Sequence, residues 1–269
     1  MCASLRFRQT TMRVAVGIEY DGCGFHGWQV QRHALTVQGC VEEALARIAC
    51  HPVRVQCAGR TDARVHASAQ VAHFDTTTER PERAWVLGAN AHLPAGVSLT
   101  WARPVPGEFN ARYSATARAY RYVILNRSNR PALLRHRAVW VHRPLDAARM
   151  HEAAQCLVGE HDFSSYRAQG CQAKSPVRRV IGLQVTRRDD LVVIEISANA
   201  FLHHMVRNIA GVLMAIGRGE ALLDWPRTLL EQRDRGLGGV TAPPHGLYLV
   251  RVDYPAHFSI PEPVGSVFP

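Results

Sequence analysis

Two short segments alternate apolar and polar residues strictly enough to be strands, and one stands near the start of each half of the chain. Residues 13–20, RVAVGIEY, place Val14, Val16, Ile18 and Tyr20 on one face, as in a half-buried strand; residues 117–126, ARAYRYVILN, do the same with Tyr120, Tyr122 and Ile124. A helical pattern follows each. In LTVQGCVEEALARI, Thr36 is a cap and Val37, Val41, Leu45 and Ile48 recur at helical spacing. In LDAARMHEAAQCLVG, Asp146 caps a helix that Gly159 ends. Residues 56–65 read as a turning loop, 67–74 as extended, 80–87 as a second helix and 107–116 as a loop. GLQVTRRDDLVVIEISANA reads as a hairpin turning near Asp189 and Asp190. HHMVRNIAGVLMAIGRG reads as a long helix and GLYLVRVDY as a closing strand.

Strand–helix–strand units in both halves predict two related α+β halves, whose interface is a common place for a cleft. The lobes are expected at residues 12–114 and 115–269. Residues 1–11 are expected to be a disordered extension; an organelle-targeting peptide is the alternative.

The composition narrows the class. With 47% hydrophobic and 20% charged residues the chain is globular. Its longest apolar run, near residues 209–217, is too short to cross a bilayer, so no membrane is expected. Seven cysteines, an odd number without a CxxC pair, predict neither a disulfide framework nor a zinc ribbon, and reduced thiols in a cytoplasm are expected. The net charge is +10, and Lys174 is the single lysine of an arginine-rich chain. A pI of about 9.8 fits a polyanionic partner such as a nucleic acid; a bias in arginine codons would give the same value.

The stretch CAGRTDARVHASAQVAHFDT, residues 57–76, holds Asp62 between Arg60 and Arg64. A loop aspartate is ordinarily a cap or a turn former. Here two cations favour its ionised form, Gly59 allows close backbone approach, and a strand behind can hold it rigidly. Such a carboxylate can act as nucleophile or general base. Arg207 lies inside an apolar helical run; if buried it needs a carboxylate, and Asp62 is one candidate. Tyr120 on a strand is ordinarily core, and otherwise an aromatic that stacks on a base, with Arg118 and Arg121 beside it on an RNA face. Lys174, near Arg178 and Arg179, is either a chance survivor in an arginine-rich chain or, on the sharper reading, a phosphate contact. His203 and His204 are adjacent, and on a helix adjacent side chains diverge by about 100° rather than chelating as an i, i+4 pair does, so no metal site is expected. GxSxG, P-loop and Rossmann patterns are not apparent.

Eight blocks in order, YDGCGFHGWQVQ, TVQGCVEEAL, AGRTDARVHA, FNARYSATARAYRY, HDFSSYRAQG, KSPVR, FLHHMVRNIAGVLMAIG and GVTAPPHGLYL, resemble the tRNA pseudouridine synthases of the TruA type over about residues 13–254. The resemblance implies the pseudouridine synthase fold, an α+β fold of two related lobes, each a mostly antiparallel sheet with helices on one face, with a basic cleft between them, and isomerisation of uridine at positions 38, 39 and 40 of the tRNA anticodon stem-loop. It implies a homodimer and no cofactor. It gives Asp62 as the catalytic aspartate, Tyr120 as the tyrosine stacking on the target base, and Arg207 as the partner of Asp62. Leu247 would line the uracil pocket and Arg60 would contact RNA; Arg112, of the FNAR block, and Lys174, of KSPVR, complete the expected substrate-binding set. The family usually has glycine where this chain has Arg64. A negative φ there, with Arg64 adding a phosphate contact, is expected over a strained positive φ. A catalytically silent tRNA-binding or RNA-folding protein on the same scaffold is the competing reading.

Overall fold

A computed structural model describes residues 11–263. The expected extension therefore lies outside the described residues, apart from Thr11. Ten strands are found among the described residues: β1 (Met12–Tyr20), β2 (Gln56–Cys57), β3 (His66–Thr76), β4 (Val97–Val105), β5 (Ala117–Asn126), β6 (Val139–Val141), β7 (Gly159–Asp162), β8 (Val177–Arg188), β9 (Leu191–Ala198) and β10 (Leu247–Asp253). The helices are α1 (Val37–Ala49), α2 (Glu82–Asn90), α3 (Ala147–Ala154), α4 (Met205–Gly217) and α5 (Trp225–Gln232). All strands join one mostly antiparallel sheet in the order β4-β1-β3-β10-β5-β9-β8-β7, with β2 on β3 and β6 on β5.

The closing strand makes the sheet continuous. β10 inserts between strands from the two halves, parallel to β3 through Tyr248 opposite His66 and Leu249 opposite Ala67, and antiparallel to β5. Its side chains thereby reach the middle of the molecule, beside the loop that precedes β3.

Local chemistry explains most of the elements. Thr36 Oγ1 accepts from the Gly39 N–H at the start of α1, and Asp146 accepts from the Arg149 N–H at the start of α3. β1 differs from its half-buried expectation. Ala15 and Gly17 are buried like Val14 and Val16, and at Gly17 the Trp101 indole lies across the position a side chain would take. α2 begins two residues late, behind Pro81. α3 stops at Ala154; a single 3-10 turn follows, and Gly159, at φ +111°, opens β7 instead of ending the helix. The sequence pattern marks none of β2, β4, β6, β7 and α5.

α4 anchors one end of the core. Met205, Ile209, Val212, Leu213 and Ile216 are all buried, each worth about 1.5–3 kcal/mol relative to exposure. Gly211 on this helix has no room for a side chain, since a Cβ would lie 1.9 Å from the Val240 carbonyl oxygen. That close approach brings the segment around Ala242 down onto the helix, where the Ala242 N–H donates to the Arg207 carbonyl at 3.1 Å.

Candidate active site

A cleft of about 1250 Å³ is lined by the loop between β2 and β3, the loop before β5, the start of α4 and the start of β10. Asp62 projects from the first of these. Its loop is braced by an earlier one. Trp28 N–H donates to the Thr61 carbonyl at 3.0 Å, Arg64 N–H to the Phe25 carbonyl at 3.3 Å, and the Tyr20 and Thr61 hydroxyls lie 2.8 Å apart. Gly27 makes this contact sterically feasible. It sits at φ +90°, and a Cβ there would lie 2.8 Å from the Thr61 carbonyl oxygen. From the strand side, Gln70 Nε2 donates to the Gly59 carbonyl at 2.7 Å.

Residues 62–65 close a turn through the Val65 N–H to the Asp62 carbonyl at 3.1 Å. Arg64 is the third residue of that turn and has φ +65°, the sign a type II turn demands there and the reason glycine suits the position. The expectation of a negative φ is therefore overturned. Turn geometry, set by the hydrogen bond across it, decides the conformation over the preference of the side chain. The Arg64 side chain is exposed and is not part of the cleft lining.

The carboxylate of Asp62 meets three nitrogen groups. Arg207 Nη1 donates to Oδ2 at 3.0 Å, while Arg207 Nε donates to the Ala242 carbonyl at 2.8 Å. His203 Nε2 lies 3.3 Å from Oδ1 and His204 Nε2 3.2 Å from Oδ2. Arg60 is exposed at the mouth; among the described residues no ion pair joins it or Arg64 to Asp62. The side chains of Arg207 and Asp62 are 13% and 26% exposed, so the pair is sheltered but open to the cleft.

The placement of the two histidines corrects their reading as helix residues. α4 starts at Met205, His204 precedes it at φ +61°, and the two imidazole rings lie 4.0 Å apart, both against one carboxylate. A turn over residues 202–205, closed by the Met205 N–H to the Leu202 carbonyl at 3.1 Å with His204 left-handed, precedes the helix and undoes the 100° divergence. No sequence signal short of the positive φ itself marks this. Burial holds the His204 imidazole below its usual pKa, outweighing the pull of Asp62; the charge of Arg207 acts in the same direction as burial.

Tyr120 and Leu247 face the same cleft from β5 and β10, both buried. The Tyr120 ring meets Phe201 edge-on at 5.1 Å and 87°. Burial, reinforced by the negative charge of Asp62, pushes its phenol well above the ordinary range, so the hydroxyl stays protonated. Arg112 is exposed on the rim with Tyr113, whose ring lies 5.5 Å from the Arg112 guanidinium carbon. Lys174 is exposed and lies just outside the lining, to which its neighbours Gln172 and Ala173 contribute.

Arg118 and Arg121 do not form the RNA face expected of them. Arg118 is buried, and its guanidinium donates to the carbonyls of Ala58, Arg112, Ala115 and Asn199, binding the loops around the cleft together. Arg121 pairs with Glu195 on the neighbouring strand.

A family model described as tRNA pseudouridine synthase matches residues 17–114 and 153–255. A tRNA pseudouridine synthase A of Coxiella burnetii is 58% identical over 257 residues, covering 95% of this chain and 98% of that protein. One from Nitrosococcus oceani is 60% identical over 251 residues, covering 93% and 97%. One from Pseudomonas aeruginosa is 58% identical over 251 residues, covering 93% and 88%.

Proposed function

The chain belongs to the tRNA pseudouridine synthase family, and from that premise we propose that it isomerises uridine to pseudouridine in tRNA, at positions 38, 39 and 40 of the anticodon stem-loop, with Asp62 as the catalytic carboxylate. The observation that carries the assignment is the Asp62 carboxylate in a cleft, fixed by Arg207 at 3.0 Å and faced by Tyr120 and Leu247.

The reaction breaks the bond from uracil N1 to C1′, turns the base and joins C5 to C1′. C5 loses a proton and N1 gains one, so nothing is oxidised and no group leaves the nucleoside. An ionised carboxylate can attack C1′, add to C6 of uracil, or remove a ribose proton; all three routes begin from Asp62. Arg207 holds that carboxylate through Nη1 while its Nε is tied to the Ala242 carbonyl, so the orientation of the carboxylate is set. The target base must leave its stack, at a cost of a few kcal/mol. Stacking on Tyr120 returns about 1–3 kcal/mol of it. Leu247 supplies the apolar wall of the pocket. Arg60, Arg112 and Lys174 contact the RNA, through phosphates whose grip weakens as salt rises.

The same reading takes residues 12–114 and 115–269 as two lobes meeting at the cleft, and the working unit as a cytoplasmic homodimer. Lining residues drawn from both segments support the first point.

Tritium release from tRNA labelled at uracil C5 tests the assignment, because C5 gives up its hydrogen only on becoming the glycosidic carbon. Wild type should release tritium; Asp62→Asn should bind the same tRNA and release none. Binding without release by either protein would leave an RNA-binding protein in place of an enzyme.

A further inference from the structure

Asp62 is surrounded by more nitrogen than its pairing with Arg207 requires. We propose that Asp62, His203 and His204 form a two-imidazole, one-carboxylate site for a divalent transition ion of the zinc type, and that the bound ion blocks the cleft by taking the carboxylate. The inhibitory half of this proposal rests on the catalytic role given to Asp62; the binding half stands without it.

The donor atoms are spaced for one ion. His203 Nε2 lies 3.3 Å from Asp62 Oδ1 and His204 Nε2 3.2 Å from Oδ2, and with one donor atom taken from each residue the three lie within 4.8 Å of one another, so small side-chain rotations bring them onto one ion. An ion bound at about 2.0–2.1 Å in a tetrahedron separates its ligands by about 3.3–3.4 Å. The backbone supports the arrangement. His204 holds φ +61°, a conformation uncommon outside glycine, and this directs two successive imidazoles at one carboxylate. Access is open, with the His203 side chain 47% exposed.

The donor chemistry selects the ion. Imidazole nitrogen suits zinc, nickel and cobalt, whereas magnesium prefers oxygen ligands and keeps its waters. Magnesium present to fold tRNA should therefore not compete. Arg207 holds Oδ2, which leaves Oδ1 as the oxygen ligand, and its charge repels a second cation, so the site is weakened and the ion stays exchangeable.

A second group of possible ligands, Asp21, Cys23 and His66, shows by contrast what a committed cluster looks like. Gly22 N–H donates to His66 Nδ1 at 3.1 Å, Arg137 holds Asp21 Oδ2 at 3.1 Å, and the Cys23 thiol donates to the His136 carbonyl. Burial also pushes that thiol up to about 12, so it gives up its proton reluctantly. Those donors are already engaged within the fold.

Cobalt(II) titration of the whole chain, followed by its visible absorption and by zinc competition, tests the site directly. Wild type should take up one ion per chain in a visible band that zinc abolishes. The His203→Gln, His204→Gln double variant should bind at least about tenfold more weakly, and Asp62→Asn, which changes almost no volume, should weaken binding too. Melting curves confirm that each variant is folded. Zinc should suppress wild-type tritium release in step with occupancy, and magnesium at the same concentration should not. Absence of the band, or equal uptake by the double variant, overturns the site. Full release from zinc-saturated enzyme overturns the block. If metal-free wild type releases no tritium, the catalytic assignment fails, and the cobalt titration still decides the site.

Discussion

Arg207 Nη1 lies 3.0 Å from Asp62 Oδ2 across a sequence separation of 145 residues, and the same guanidinium reaches the Ala242 carbonyl through Nε. One planar group thus ties the Asp62 loop to α4 and to the segment preceding β10. An ammonium presents a single point charge and cannot hold both partners in this geometry. Arg207→Ala and Arg207→Lys should each lower the single-turnover rate of C5 tritium release by about 10²-fold or more, the scale of a lost electrostatic stabiliser. Affinity for tRNA should change little. Normal turnover on bound tRNA with weakened binding would move Arg207 from positioning the carboxylate to gripping the RNA.

Arg64 holds φ +65° in the turn that carries Asp62. A bulky L-residue is disfavoured there by about 1–2 kcal/mol, and glycine gives back part of any gain by loosening the unfolded chain. Arg64→Gly should therefore raise Tm by about 2–4 °C, the shift that about 1 kcal/mol produces in a chain of this size. Since the side chain is exposed and off the cleft lining, tRNA affinity should stay within a few-fold. A lower Tm, or a large loss of binding, would mean that the arginine contributes contacts that outweigh its strain.

Periodicity was enough for β1, α1, the β8–β9 hairpin and α4, because each presents a regular apolar face to the core. It was blind to β4 and α5, and it placed the end of α3 five residues late because Gly159 stops nothing there. The insertion of β10 between β3 and β5 is a long-range pairing that no local pattern encodes. At the site, the need of Arg207 for a carboxylate was legible from its apolar surroundings, and Asp62 is that carboxylate. The histidines were not legible. Their convergence depends on one residue, His204, adopting φ +61°, and spacing arguments assume a regular helix. Arg118 misled in the opposite sense: its neighbours suggested an RNA face, while its guanidinium is buried among carbonyls.

Tyr113 is 77% exposed although the backbone around it is firmly held. Asn110 Oδ1 accepts from the Arg112 and Tyr113 N–H groups at 3.0 and 3.1 Å, Ser114 Oγ accepts from Asn110 N–H at 3.0 Å, and Tyr254 donates to the Ala111 carbonyl at 2.6 Å. A rigid loop that leaves an aromatic ring bare beside Arg112 is organised for stacking. Tyr113→Ala should weaken tRNA binding by about 1–3 kcal/mol, or about 5- to 150-fold in Kd, while Tyr113→Phe should keep wild-type affinity. The salt dependence should be unchanged in Tyr113→Ala and shallower by about one unit of slope in Arg112→Ala. Equal Kd values for wild type and Tyr113→Ala would remove the ring from the interface.

His73 couples this loop to pH. Its Nδ1 accepts from the Ala111 N–H at 3.1 Å, which requires a free lone pair, and burial pushes the imidazole down to about 4, with Arg13 adding to the effect and Asp75 opposing it. In the unfolded chain a histidine titrates near about 6.5. Between those values the unfolded state binds a proton that the folded state does not, so stability rises with pH. The contribution of neutral His73 is complete above about pH 6.5 and is lost as pH falls towards 4. His66, also lowered by burial, acts in the same direction. Urea midpoints should accordingly drop between pH 7 and pH 5 in wild type and drop less in His73→Gln. Parallel declines in the two proteins would show that His73 is not the group responsible. As the folded histidine itself protonates, the Nδ1 acceptor disappears and the Ala111 N–H loses its partner, so tRNA affinity should weaken at the acid end of this window before the chain unfolds.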